Sequence, residues 1–382
     1  MQGADVERIA REGVEALRSG RAAQARSRFE QVTMSGRATI QIWLLLATAC
    51  RALGDSAAEE AALDRALEIE PRTVRAHIMK ADCRLKAGDD RSAQHYYRSA
   101  LHSAEGQRVP DDLLAELRRA EAAMTAISAK LTAKREENLA ALGFPQGRRS
   151  ARFQQALDIS AGHKQIFLQE PTVFYFPGLP QIQYYDTEAF DWVPGVEAAW
   201  RAIRAEIEAA LAVGRQGFRP YIQSEANRTR LDDNPLLDNA DWSTLFLCEN
   251  SKVDDEVVGR FPATWEAVQV APLPLIPKSS PTVMFSLLRP GARINPHSGV
   301  HNARLTCHLP LIVPPDCGFR VGNEVRQWEE GKLLVFDDSI EHEAWNGSAQ
   351  DRVVLIFDIW RPELSEQERR ELTALFQGAP VD

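Results

Sequence analysis

The chain has 382 residues, 44% hydrophobic and 26% charged, which excludes a wholly disordered chain, a collagen repeat and a long coiled coil. Forty-five Lys and Arg against 54 Asp and Glu leave a net charge of -9, so no nucleic acid and no anionic membrane is expected as a partner. Apolar runs such as 353–357 fall far short of the roughly 20 residues of a membrane span, and no secretory signal is expected. Cys50, Cys83, Cys248, Cys307 and Cys317 are scattered without a CxxC pair and read as buried free thiols of a cytoplasmic protein.

Residues 1–106 are rich in Ala, Leu, Arg and Glu. Gly20, Gly54 and Gly88 recur every 34 residues. Small Gly13, Ala47 and Ala81 keep the same phase, as do large Phe29, Leu63 and Tyr97. Ala66 matches Ala100, and Pro71 closes the second unit. The period predicts three helix–turn–helix units with a glycine in each turn. It resembles tetratricopeptide repeats, which implies a concave surface for a peptide or partner protein; a generic helical bundle is the alternative. His77, His95 and His102 are expected to pack or face solvent. Residues 107–165 are expected as a helical spacer. Leu113, Leu117, Ala120, Met124, Ile127 and Leu131 mark a helix over 111–135, and 143–150 reads as a loop.

From Pro171 the chain becomes aromatic and turn-rich. A helix is predicted over 196–213, an irregular stretch over 215–278, then strands over 283–288, 304–313, 318–321, 332–336 and 352–359. Pro290-Gly291, Pro314-Pro315-Asp316, Gly322-Asn323, Glu330-Gly331 and Asn346-Gly347 separate them. A final helix over 365–376 opens on Ser365, with Glu368 placed for a capping box. Helices first and strands last predict a multidomain chain, α then α+β, the second part a sandwich or barrel.

Four of the eight histidines, His297, His301, His308 and His342, fall within 46 residues. His297 is placed just after a strand and His342 between two strands. Imidazoles suit iron, zinc, copper or nickel. One option is a zinc hydrolase with three protein ligands. The other is non-haem Fe(II), although the third position of its usual His-x-Asp is Gly299. His297 and His301 have helical zinc-pair spacing, but Pro296 and Gly299 oppose a helix there. Arg352 opens a strand and is suited to fork a carboxylate, with Ser286 as a second donor.

The stretch 286–364 carries Pro296-His297-Ser298-Gly299, Asn302-Ala303-Arg304-Leu305-Thr306-Cys307-His308-Leu309 and Trp328-Glu329-Glu330-Gly331-Lys332. Phe336-Asp337-Asp338-Ser339, Glu341-His342-Glu343-Ala344-Trp345, Arg352 and Trp360-Arg361-Pro362-Glu363-Leu364 follow. It resembles the aspartyl/asparaginyl β-hydroxylase family, and the likeness thins out back to Phe176-Pro177-Gly178-Leu179. The resemblance implies a double-stranded β-helix of jelly-roll or cupin-like type over 166–382. It implies an Fe(II)- and 2-oxoglutarate-dependent dioxygenase using O2, whose iron is held by two histidines without the carboxylate. His297 and His342 would be those ligands, Ser286 and Arg352 would hold the far carboxylate of 2-oxoglutarate, His308 would approach the near one, and Arg304 would lie beside cosubstrate or substrate. Asp337, Asp338, Glu341 and Glu343 are candidates to support the ligands from behind. His301 is expected as a loop residue, and Trp328, Trp345 and Trp360 as packing. The substrate implied is an Asp/Asn-type residue in a peptide or protein held by the repeats, giving succinate and CO2. Thr306 stands where the family places a second arginine, and no amide occurs near Thr244. The same chemistry on a free amino acid or small molecule, and a non-catalytic interaction protein, are the alternatives.

Overall fold

In the computed structural model, residues 3–106, 108–224 and 234–378 are described. The chain divides into two compact units, Met1–Ala161 and Gly162–Asp382.

The first unit runs α1 Gly3–Arg18, α2 Ala22–Met34, α3 Ile40–Ala52, α4 Ser56–Ile69, α5 Val74–Lys86, α6 Asp90–Ala104, α7 Asp111–Ala141 and α8 Ala151–Ser160. Helices α1 to α6 form three hairpins, as the 34-residue period requires. Gly20, Gly54 and Gly88 occupy the turns at φ of 72, 73 and 77°, the left-handed region that a Cβ disfavours. The small positions allow close helix approach: a Cβ on Gly13 would lie 2.6 Å from a ring atom of Phe29. Ala47, Ala81, Phe29, Leu63 and Tyr97 are all fully buried. Helix α7 extends beyond the predicted 135, and its Leu117, Ala120 and Ile127 share a core with Val74, Ile78 and Tyr97. His77 and His95 pack on Tyr96, and His102 is exposed beside Glu105.

The second unit contains β1 Tyr184–Tyr185, α9 Val193–Ala198, α10 Trp200–Ala212, β2 Arg219–Pro220, β3 Trp242–Glu249, β4 Lys252–Val253, α11 Asp255–Arg260 and α12 Pro262–Val268. There follow β5 Val283–Leu288, β6 Arg293–His297, β7 Arg304–Ile312, β8 Cys317–Val321, β9 Glu324–Arg326, β10 Leu334–Phe336, β11 His342–Asn346, β12 Arg352–Trp360 and α13 Glu366–Gly378. They form two antiparallel sheets. The larger is ordered β1-β10-β7-β12-β5-β3-β2 with β4 on β3, and the smaller β6-β11-β8-β9. The chain is thus a helical repeat region followed by a β-rich domain.

Strand pleating divides the larger sheet cleanly, because successive side chains point to opposite faces. Odd positions, among them Leu245, Phe285, Leu305, Cys307, Leu355 and Phe357, pack against Val196, Ile203, Ile207 and Val268 of the helices. Even positions face the smaller sheet. Register sets Leu288 opposite Arg352, Ser286 opposite Val354, His308 opposite Ile356 and Thr306 opposite Asp358. One face therefore makes the larger core, and the other combines a second apolar cluster, with Met284, Leu288, Val354 and Ile356, and the polar groups between them.

Helix α13 carries the expected capping box: Ser365 N–H donates to Glu368 Oε2 at 2.7 Å, and Glu368 N–H to Ser365 Oγ at 3.3 Å. Seven strands depart from the sequence reading, four of them, β1, β2, β4 and β9, being only two or three residues long. β3 lies inside the stretch read as irregular. β6 and β11 end and begin on the two histidines placed outside strands. All five cysteines are free and buried. Among the described residues, no helix is long and apolar enough to cross a membrane.

Candidate active site

A cavity of about 550 Å³ lies between the polar face of the larger sheet and the smaller sheet. Its lining includes all six residues singled out from the sequence: His297, His342, Arg352, Ser286, His308 and Arg304.

His297 and His342 are direct cross-strand partners, and their rings lie 4.2 Å apart, centroid to centroid. Each Nδ1 is bonded to a backbone carbonyl two residues earlier, His297 to Asn295 at 2.8 Å and His342 to Ile340 at 3.1 Å. A carbonyl only accepts, so Nδ1 carries the proton in both rings and each Nε2 keeps its lone pair. Desolvation lowers both pKa values, that of His342 strongly with a further push from His297. Both rings are thus held neutral, as metal ligands must be. Among the described residues no group of three or more His, Cys, Asp or Glu side chains is arranged around a metal position. Two imidazoles are the donor set that these strands bring together.

Position 299 leaves no room for a side chain as Asp338 is placed. A Cβ on Gly299 would lie 2.4 Å from Asp338 Oδ2, so the Asp338 carboxyl fills the space a side chain at 299 needs. Gly299 N–H also donates to Asp338 O at 2.7 Å. Burial pushes the Asp338 carboxyl up to about 6, against the pull of Arg304.

Arg352 is 1% exposed, and its Nε and one terminal nitrogen have no hydrogen-bond partner. Its guanidinium lies 4.4 Å over the Trp328 ring, and burial pushes its pKa down to about 9. A buried cation without a counter-ion is costly unless a ligand supplies one. Ser286, on the neighbouring strand, accepts from Trp242 Nε1 at 3.1 Å, so its hydroxyl proton is directed elsewhere. His308 is buried among Phe319, Phe336 and Trp328 with Nδ1 unpartnered. Burial lowers its pKa well below the usual range, with Arg352 adding to the effect.

Arg304 differs in kind, being bound by Asp338 at 3.1 Å and by Asp358. Burial alone would lower its pKa, but the two carboxylates raise it. His301 lies away from the cavity, 2% exposed and stacked on Phe376 of α13 at 5.3 Å.

Two features gain a role only in the structure, although Arg361 already stood among the motif residues. Tyr221 stacks on Trp242 at 4.2 Å at the cavity wall. Arg361, fully buried, pairs with Asp337 at 2.7 Å and donates to the carbonyls of Asn302 and Pro180 and to Tyr185 Oη. Asp337 also accepts from Gln169 and Ser339. One guanidinium thereby ties the loop after His297 to the turn before His342.

Residues 197–362 match the family model described as Aspartyl/Asparaginyl beta-hydroxylase. Residues 40–83 match the Tetratricopeptide repeat model. The chain thus carries a segment similar to the aspartyl/asparaginyl beta-hydroxylase family and, earlier in the sequence, one similar to tetratricopeptide repeats. It is similar to the ornithine lipid ester-linked acyl 2-hydroxylase of Rhizobium tropici, 38% identical over 47% of this chain and 60% of that one. It is also similar to the human aspartyl/asparaginyl beta-hydroxylase, 32% identical over 50% of this chain and 24% of that one. The chain therefore spans between a quarter and three-fifths of these relatives. PcrH from Pseudomonas aeruginosa aligns with 34% of this chain and 95% of its own, at 20% identity and a TM-score of 0.31.

Proposed function

We propose that the second unit is an Fe(II)- and 2-oxoglutarate-dependent dioxygenase of double-stranded β-helix type that hydroxylates an aliphatic C–H bond. The observation that carries the reading is Arg352, a buried guanidinium lacking a carboxylate, across one cavity from two neutral imidazoles in register. In the reaction C–H, 2-oxoglutarate and O2 become C–OH, succinate and CO2, one oxygen atom going to the substrate and the other to succinate. Iron, when bound, supplies the activation of O2 and of the C–H bond, which side chains do not provide.

His297 and His342 would hold the metal through Nε2, their Nδ1–H groups anchored on strand carbonyls. Arg352 and Ser286 would receive the far carboxylate of 2-oxoglutarate, Arg352 gaining the counter-ion it lacks. His308 would approach the near carboxylate. Asp338, held by Arg304, fills the space beside Gly299 and would support the ligands from behind. Trp328 and Phe319 exclude water from the cosubstrate end. The repeats would present a peptide or protein, the reading expected for an Asp/Asn-type substrate. The relative from Rhizobium tropici is named for an acyl chain, so reaction and substrate are separate questions. Five free cysteines fit a reducing compartment such as the cytoplasm.

The test is anaerobic titration of the full chain with Fe(II) and then 2-oxoglutarate, following the visible metal-to-ligand charge-transfer band. The band is expected in the wild type, lost in His342→Ala and weakened in Arg352→Ala. A well-folded wild type without a band overturns the proposal.

A further inference from the structure

The smaller sheet has two edges of unlike character. Its order is β6-β11-β8-β9, so β6 and β9 each have one neighbour. β9 is three residues long and begins and ends on charged Glu324 and Arg326. The edge strands of the larger sheet, β1, β2 and β4, are two residues long. Short or charged edges discourage pairing with another chain. β6 is five residues long, exposes Arg293, Asn295, Pro296 and His297, and ends on a candidate metal ligand. Ile294, Asn295, Pro296 and His297 line the cavity, so this edge is also its lip.

The ladder fixes which way the β6 main chain points. Asn346 N–H donates to Ala292 O at 3.0 Å, and register sets Arg293 opposite Trp345 and Ile294 opposite Ala344. Bonded and unbonded pairs alternate along an antiparallel ladder. Ala292 is bonded to β11, so Arg293 is not, and its N–H and C=O turn to the open edge. Among the described residues no other strand adjoins that edge. The Arg293 side chain is drawn off it, paired with Glu343 and lying 5.7 Å over the Trp345 ring. The register with β11 slips only beyond Ile294, toward Pro296 and His297. There the Asn295 carbonyl takes the His297 Nδ1–H at 2.8 Å, which joins the edge to the ligand.

We infer that β6 takes an extended peptide segment as an added antiparallel strand, and that main-chain pairing with Arg293 lays alternate peptide side chains into the cavity beside His297. One peptide residue would exchange two hydrogen bonds with Arg293. The side chains on either side of that residue would then fall on the face of Ile294, inside the cavity. A hydrocarbon chain has no N–H to offer this edge. This rests on the dioxygenase reading and adds how its substrate is held.

The test uses the full chain under argon with Fe(II), and calorimetry first establishes whether 2-oxoglutarate binds. The probe is a capped heptapeptide, alanine throughout with aspartate at its centre, together with versions N-methylated at each position in turn. Binding is read by tryptophan fluorescence, and its location by hydrogen-exchange mass spectrometry. The peptide is expected to slow exchange over residues 291–297 and not over 324–326. N-methylation is expected to weaken binding about tenfold at alternate positions and to be tolerated at those between. Arg293→Pro removes the edge N–H that β11 does not use, and is expected to weaken the peptide about tenfold more than Arg293→Ala, which keeps it. If Arg293→Pro does not fold, the N-methyl scan on the wild type decides. No peptide binding to a protein that binds 2-oxoglutarate overturns the inference while the dioxygenase reading stands. So does protection that spares 291–297, an N-methyl scan without alternation, or a folded Arg293→Pro no weaker than Arg293→Ala. Absence of 2-oxoglutarate binding overturns both.

Discussion

Replacing Arg352 by methionine should stabilise the ligand-free protein while removing its hold on 2-oxoglutarate. Burial lowers this guanidinium from its ordinary value to about 9, which disfavours the charged form in the folded protein by about 5 kcal/mol. The group stays charged at pH 7, so the folded state carries that penalty and the unfolded chain does not. Methionine keeps most of the packing volume but loses the cation–π contact with Trp328, worth about 1–2 kcal/mol. Allowing for relaxation around the charge, a net gain of about 2 kcal/mol is expected. For a unit of this size that is about 4–8 °C in Tm. The sign with pH follows from a folded pKa below the unfolded one. The unfolded chain binds the proton more tightly above about 9, so wild-type stability rises with pH from there toward the ordinary guanidinium range and the gap to the variant narrows. Thermal and urea unfolding from pH 7 to 10, with and without Fe(II) and 2-oxoglutarate, measure both effects. Fe(II) should stabilise both proteins, and 2-oxoglutarate added to the Fe(II) form should stabilise the wild type further but the variant much less. A variant less stable than the ligand-free wild type would refute the reasoning, because Arg352 would then have a partner in the folded chain.

Gly299→Ala should destabilise by about 1–3 kcal/mol through overpacking against Asp338. On an Asp338→Ala background most of that cost should vanish in urea unfolding, and additivity of the two changes would refute the contact. His342→Ala should abolish Fe(II) binding in calorimetry and, by removing a buried ring and its bond to Ile340 O, cost about 1–3 kcal/mol in urea unfolding. Arg361→Met strands the Asp337 carboxylate in the core and should cost about 3–5 kcal/mol, whereas Arg361→Met with Asp337→Leu should recover most of it.

The helical repeats were legible because a 34-residue period leaves the same residue type at every structural position, and Gly13 against Phe29 shows why the small member is needed. Strands β5, β7 and β12 were legible as long apolar runs, since even their cavity faces are mostly buried. β3 was missed because Ser243 and Thr244 interrupt its apolar character, although both are buried. β6 exposes Arg293, Asn295, Pro296 and His297 and buries Ile294, too little hydrophobic signal for a strand. The site residues were legible through linked motifs, but their electrostatic states were not. Nothing local distinguishes Arg304, held by two carboxylates, from Arg352, held by none. Asp358 lies 54 residues from Arg304, and only the β7–β12 register brings them together. His301 was read as a loop residue because its partner, Phe376, comes from the final helix.

The odd–even division of the larger sheet makes its chemistry self-proofreading. A slip of one residue between β12 and its neighbours would turn Arg352 and Asp358 into the layer lined by Phe285 and Leu305, and turn Leu355 and Phe357 toward the cavity. Such a chain would bury two charges without partners and expose its largest apolar rings, so it would not persist as a folded, inactive population. The same demand that builds the core certifies the alignment of the site. Substitutions at even positions are thereby free to change what the cavity accepts while odd positions keep the frame in which it is read.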